Sequence, residues 1–231
     1  MQMLKYLNSL TLDGLCRNSE PRLEWYYYAI ILAHNLQPQK VITHSSVKAS
    51  LDSITYEVLN CLREKHPDHS IFSMPVKEDF HDWLENTWNE TEGTQIINSI
   101  GEYLLGKLNF RLNQSKELKY MCIDYVLESK CGQELILLII CYCVANRLGV
   151  DFHIILEHPA SDRRLYLIWF PRDHRNTLEM VTYFTVRSNE FPSGFMKQRF
   201  LLWDFTANST ILGITSAEEV SLQLCVCVLL T

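Results

Sequence analysis

No apolar run in this chain reaches the roughly 18 residues of a membrane-spanning helix; the longest, LILLIICYCVA, stops at about 11 and carries Tyr142. The opening MQMLKYLNSLTLDGL lacks the continuous apolar block of a secretory signal. A basic excess is missing too. The formal net charge of −6 speaks against general nucleic-acid binding, which relies on a cationic surface to displace counterions from phosphates. Neither GxGxxG nor GxxxxGK[ST] occurs, so a phosphate cradle has no support. CxxC is absent, and no histidine stands at zinc spacing from Cys141-x-Cys143 or Cys225-x-Cys227. In a helix, positions two apart do not face each other, so Cys141 and Cys143 read as small core residues. Neither a metal nor a cofactor is expected.

Glycine and proline are also scarce, at 8 and 7 of 231 residues, while 47% of the chain is hydrophobic and 21% charged. Those proportions exclude a largely disordered chain and suffice for a sizeable core. Without a leader, the eight cysteines are expected to stay reduced, which places the chain inside the cell, in the cytoplasm or nucleus.

Helical patterns dominate the first two thirds. PRLEWYYYAIILAHNL (21–36) is apolar on more than one side, with Ser19 as cap. In SSVKASLDSITYEVLNCLREK (45–65), Val47, Leu51, Ile54, Val58 and Leu62 recur at three and four, giving one apolar stripe capped by Ser45 or Ser46. HPDHSIFSMPVKEDFHDWLENTWNETEG (66–93) breaks the period. It carries six carboxylates between Glu78 and Glu92 beside Phe80, Trp83 and Trp88, and is expected to be an exposed acidic loop. His66 and His69 within it read as exposed turn residues. Helical spacing returns at 94–110, with Ile97, Ile100, Leu104 and Leu108 on one face, and again at 116–129. LESKCGQELILLIICYCVANRLGV (127–150) reads as one buried helix, Cys131 at its mouth, Gly149 ending it and Arg147 at its carbonyl end.

After Gly149 the period changes. DFHIILE (151–157), RRLYLIWF (163–170), MVTYFTVR (180–187) and QRFLLWDF (198–205) are short, rich in aromatic and β-branched residues, and separated by polar turns. TSAEEVSLQL (215–224) starts like a helix. Helices first and strands afterwards predict an α+β fold with an antiparallel sheet on a central buried helix. The expected division is a helical region at 1–93 and an α+β core at 94–231. The apolar ending LCVCVLLT raises the expectation of a truncated chain, an isoform without independent activity.

A thiol at a helix mouth, followed by strands able to present a histidine and an aspartate, is the arrangement of thiol acyl-transfer enzymes. The helix dipole favours thiolate, a base moves protons and an acid orients the base. Cys131, His158 and Asp204 are the residues in that order.

ITYEVLNCLREKHPDHSIF, INSIGEYLLGKLNFRLNQS and YVLESKCGQELILLIICYCVANRLGV resemble successive blocks of the SirB-type transglutaminase-like family, and are most similar to its eukaryotic branch, the F-box only protein twenty-one type. The resemblance runs over about residues 20–224, and no F-box is visible in this sequence. It implies a transglutaminase-like, papain-like core. Its departures bear on activity. The family's Gly-Ile-Pro-Ile turn here reads Gly132-Gln133-Glu134-Leu135, Ile136 occupies the nucleophile position, and Arg164 stands where the family's histidine would be. His158 lies earlier than that position, whereas Asp204 matches the acidic residue of the last strand. Arginine stays protonated and cannot act as base. The resemblance thus implies a degenerate site. The expected role is non-catalytic: an interaction module, the substrate-recognition part of an F-box protein of a cullin-RING ubiquitin ligase. Its partner would be a protein substrate or ligase component, not nucleic acid or membrane. Phe80, Trp83, Trp88, Arg164 and Trp169, on the acidic loop and a sheet edge, are the expected contact residues. The alternative is a thiol hydrolase or acyltransferase built on Cys131, His158 and Asp204.

Overall fold

The computed structural model describes residues 25–74, 87–157, 164–169, 171–172, 181–186 and 195–200. Helix α1 (Trp25–Leu36) is apolar around most of its circumference and buries Trp25, Tyr26, Tyr28 and Leu32. Helix α2 (His44–Lys65) buries the stripe Val47, Leu51, Ile54, Val58 and Leu62 along one side. Its cap is Thr43, whose side chain accepts a hydrogen bond from the Ser46 N–H, so the helix starts earlier than Ser45 or Ser46 would set it.

The segment after α2 is structured rather than looped where it is described. A 3-10 turn spans Ser70–Ser73, and helix α3 (Glu90–Gly101) begins inside the stretch expected to be loop. Asn89 caps it: its Oδ1 accepts from the Glu92 N–H at 2.9 Å while its Nδ2 donates to the Glu92 carboxylate. Past Gly101 the helix widens into a π-helical turn, Glu102–Lys107, closed by Leu108 N–H donating to the Tyr103 carbonyl. Asn109 then takes a left-handed conformation (φ 60°) and turns the chain into β1 (Arg111–Leu112).

The stretch read as one helix from residue 127 is broken. A 3-10 turn (Leu118–Met121) leads into α4 (Ile123–Ser129), Lys130 turns left-handed at φ 59°, and Cys131–Gly132 forms β2. β2 lies parallel to β1, with the Arg111 N–H donating to Lys130 O and the Asn113 N–H to Gly132 O, each at 2.8 Å. That pairing pulls the backbone out of helical geometry. Gly132 is needed here, because a Cβ would lie 2.6 Å from the Val126 methyls. Only then does the central helix α5 (Glu134–Arg147) start, with Ile136, Leu138 and Ile139 fully buried. Gly149 at φ 75° ends it: the Val150 N–H reaches the Ala145 carbonyl and the Gly149 N–H that of Asn146, the paired bonds of a Schellman turn.

α5 is surrounded: α1, α2, α3 and α4 pack against it, as do the strands β3 (Phe152–Glu157), β4 (Arg164–Trp169) and β5 (Val181–Val186). With β6 (Phe195–Phe200), these strands pair antiparallel in the order β3-β4-β5-β6. The Trp169 end of β4 therefore lies inside the sheet, with Phe152 of β3 on one side and Thr182 of β5 on the other, and is not an edge. β6 begins three residues ahead of the expected 198–205 segment, and residues beyond 200 lie outside the described ones. Among the described residues no helix is long and apolar enough to cross a membrane.

The carboxyl end of α5 is tied to α2 by a buried cation. Arg147 Nε donates to Asp52 Oδ1 at 2.8 Å, Nη1 donates to the Cys143 carbonyl at 2.9 Å, and the guanidinium lies 5.4 Å from the Tyr26 ring centroid. Burial pushes the Asp52 carboxyl up, but hydrogen bonds from Arg147 and Lys48 outweigh it and leave it below the ordinary carboxylate range. The Arg147 side chain is 1% exposed and that of Asp52 27%. Removing the carboxylate strands the cation, so Asp52→Asn is expected to cost about 2–3 kcal/mol at pH 7, less than for a fully buried pair because Asp52 reaches solvent. As pH falls through the depressed folded pKa, the original chain protonates Asp52 and loses the same contribution. Urea denaturation of both chains at pH 7 and pH 3 should show the difference shrinking.

Candidate functional site

Cys131 sits two residues ahead of Gln133, the residue that precedes the first turn of α5, so its thiol belongs to the β1–β2 bridge rather than to the helix mouth. The side chain is partly exposed. Asn113, just past β1, places its Nδ2 3.3 Å from the Cys131 Sγ. The amide is held in that orientation because its Oδ1 accepts from the Ser115 N–H at 2.7 Å. Ser129 closes on the Cys131 backbone, donating from Oγ to the carbonyl and accepting from the N–H. Gln133 donates from Nε2 to the Ser115 carbonyl, fixing the same loop from the other side. Chemically this is a thiol presented to an amide donor. An amide N–H can stabilise negative charge on sulfur but cannot take the proton away.

Ile136, which the resemblance was expected to set at the family's nucleophile position, is completely buried in the first turn of α5. Burial also explains the inert cysteines further along the helix: Cys141 is pushed up to about 12, and Cys122, at the start of α4, to about 11. His158 and Asp204 lie outside the described residues, so the structure does not bring the proposed triad together or separate it. Arg164 pairs through its backbone with Glu157 of β3. Among the described residues no group of three His, Cys, Asp or Glu side chains is placed to hold a metal.

Two of the expected contact residues are core residues instead. Trp88 is 1% exposed; its Nε1 donates to the Leu148 carbonyl at 2.6 Å, and the neighbouring Thr87 N–H donates to Gly149 O. The indole thus covers the carboxyl end of α5. Trp169 is fully buried against α3, so close that a Cβ added to Gly93 would lie 2.1 Å from its ring. Large amphipathic rings gain more from desolvation against a helix than from the exposed acidic loop expected for Trp88 or the sheet edge expected for Trp169. Phe80 and Trp83 lie outside the described residues. One signal in the sequence pointed to the correction: Asn89-x-x-Glu92 is a capping pattern, and it places Trp88 against a helix start.

His69 is also buried, not an exposed turn residue. It is 4% exposed and meets the Trp88 ring edge-on at 5.1 Å. Its Nδ1 accepts from the Ile71 N–H and its Nε2 faces the Glu92 carbonyl at 3.2 Å, which fixes the neutral tautomer with the proton on Nε2. Burial lowers its pKa below 6.5, against the raising effect of Glu92.

Residues 45–156, just under half of the chain and running from α2 to β3, match the family model described as the transglutaminase-like superfamily. The match contains Cys131 and Ile136 and ends before His158, Arg164 and Asp204. No curated protein and no solved structure matches the chain.

Two measurements check the packing. Gly93→Ala is expected to cost about 1–3 kcal/mol in chemical denaturation, because Trp169 has no room to retreat. The unfolded chain takes up its histidine proton at a higher pH than buried His69 does. The His69 contribution is therefore complete above pH 6.5 and is lost as pH falls through the lower folded value. A His69→Leu chain should show a flatter stability profile between pH 7.5 and pH 5 than the original.

Proposed function

We propose that this chain acts as a protein-binding module on a transglutaminase-like scaffold and breaks no bond of its own. The observation that carries this reading is Ile136. The position that would hold a nucleophile is an aliphatic side chain with no exposed surface, and an aliphatic carbon has no lone pair to attack with. The nearest thiol upstream along the chain, Cys131, stands outside the helix and is hydrogen-bonded to an amide that cannot act as base.

Resemblance to the F-box only protein twenty-one type suggests the kind of binding: recognition of a protein substrate for a cullin-RING ubiquitin ligase. Within that reading the contact surface falls to the acidic segment carrying Phe80 and Trp83 and to Arg164, since Trp88 and Trp169 are committed to the core. Acidic residues interleaved with aromatic ones suit a partner with a basic, partly apolar face.

The competing chemistry needs a thiolate at Cys131, a base at His158 and an acid at Asp204. It is separated from binding by reactivity. Purified chain treated with a fluorescent iodoacetamide at neutral pH should label Cys131 no faster than about threefold above free glutathione, and His158→Ala should leave that rate unchanged. Fast stoichiometric labelling of Cys131 that disappears in His158→Ala, with hydrolysis of a model thioester lost in Cys131→Ser, would replace the binding module by an enzyme.

A further inference from the structure

The π-helical turn creates a second thiol environment, away from Cys131. An α-helix with one residue inserted rotates everything after the insertion by about 100°. Here the widened turn ends on Lys107, whose Nζ lies 3.1 Å from the Cys61 Sγ on α2, although 46 residues separate the two. Cys61 is 4% exposed, whereas about half of the Lys107 side chain is exposed. Charged residues ring the pair. Glu64 Oε2 is 4.0 Å from the Lys107 ammonium, and Lys65 pairs with Glu102 across the same helix contact. A sulfur and a primary amine already at hydrogen-bond distance, one buried and one half exposed, are placed for a covalent link.

We propose that Cys61 and Lys107 form a peroxide-dependent sulfur–nitrogen cross-link that fastens α2 to the π-helical turn. In the first step the Cys61 sulfur attacks one oxygen of hydrogen peroxide. The O–O bond breaks, sulfur loses two electrons, and the products are a sulfenic acid and water. In the second step the neutral Lys107 amine attacks that sulfur, the S–O bond breaks, and hydroxide leaves with the nitrogen's proton as water. The sum is one thiol, one amine and one peroxide giving a sulfenamide and two waters. A dithiol reductant reverses it in two steps: one thiol attacks the same sulfur, forming a mixed disulfide as the S–N bond breaks and the amine leaves with the thiol's proton, and the second thiol then displaces Cys61 as free thiol and closes its own disulfide. The hydrogen bond with Cys61 holds the Lys107 ammonium above the usual lysine range, so the attacking neutral amine becomes more abundant as pH rises. The link constrains the segment that feeds β1, and β1 pairs with the strand carrying Cys131. Peroxide acting at one thiol would thus rigidify the support of another. This inference does not depend on the proposed binding function.

The experiment is peptide mapping by mass spectrometry of the full chain after hydrogen peroxide treatment at pH 7 and pH 9, digested without reductant. The expected product is a Cys61 peptide joined to a Lys107 peptide at the sum of their masses less two hydrogens. It should be more abundant at pH 9, absent after dithiothreitol, and absent from Lys107→Arg, where Cys61 should run on to sulfinic acid. Circular dichroism melts establish that the arginine chain is folded. Recovery of Cys61 from the oxidised original chain as free thiol or sulfinic acid, with Lys107 unlinked, would overturn the proposal.

Discussion

A cation with almost no access to water fixes the architecture. Arg147 ends the central helix, and its guanidinium is held by Asp52 on α2, by the carbonyl of Cys143 one turn back, and against the ring of Tyr26 on α1. A charge this deeply desolvated is tolerable only where its partners stand in place. The three helices therefore have little freedom of register at this end. Tyr26 extends the constraint: its hydroxyl lies 2.5 Å from His44 Nε2, and Tyr27 stacks on the same imidazole at 4.4 Å, fixing the start of α2. The Trp88 indole then hydrogen-bonds Leu148 just past the helix end, carrying the entrance of α3 into the same cluster. From this fixed end Gly149 turns the chain directly toward β3.

The opposite end of α5 is where chemistry would be sought, and a two-residue strand decides what is found there. Pairing of Cys131–Gly132 with Arg111–Leu112 extends the backbone just where a longer helix would have brought the thiol into its first turn. The amide dipoles of α5 converge on Gln133 and the turn after it, a region from which Cys131 has been withdrawn. The thiol is instead set by Asn113, whose orientation derives from the loop after β1. A site whose donor comes from one side of a parallel bridge and whose sulfur comes from the other is well ordered, yet order alone supplies no proton acceptor.

Much of this was readable in the amino-acid sequence, and the unreadable parts share a cause. The stripe from Val47 to Leu62, the apolar run of α5 and the glycine stop at 149 are local patterns, decided by periodicity and by the φ that only glycine adopts freely. The break at Lys130 is not local. Helix propensity favours continuing through it, and a backbone ladder formed with residues some twenty positions earlier overrides that preference. Burial of Trp88, Trp169 and His69 was hidden for a related reason. Composition near Trp88 is acidic and His69 sits in a Pro-Asp turn, both of which suggest solvent, while their actual environment comes from the end of α5 and from each other. Asn89 and Glu92 were the one local sign, since a capping pair marks where the loop ends. At the thiol, the residue type was legible, but its separation from the helix depended on β1. The transglutaminase-like match covers the segment in which both thiol and aliphatic position lie, so it speaks to scaffold rather than to reaction.

The residue at position 136, which the family resemblance aligns with a nucleophile, is fixed by packing as well as by residue type. A side chain at 136 is packed in a helix surrounded by four others and by three strands, and burying an isoleucine there contributes about 1.5–3 kcal/mol. Cys141, one and a half turns further along the same helix, shows what that interior does to a thiol: burial drives it to about 12, so at neutral pH essentially no thiolate exists. A sulfur in place of the Ile136 side chain would meet the same desolvation, with the added cost of a smaller side chain in a close-packed site. Nucleophilic chemistry at this position therefore requires an opening in the packing as well as a different residue.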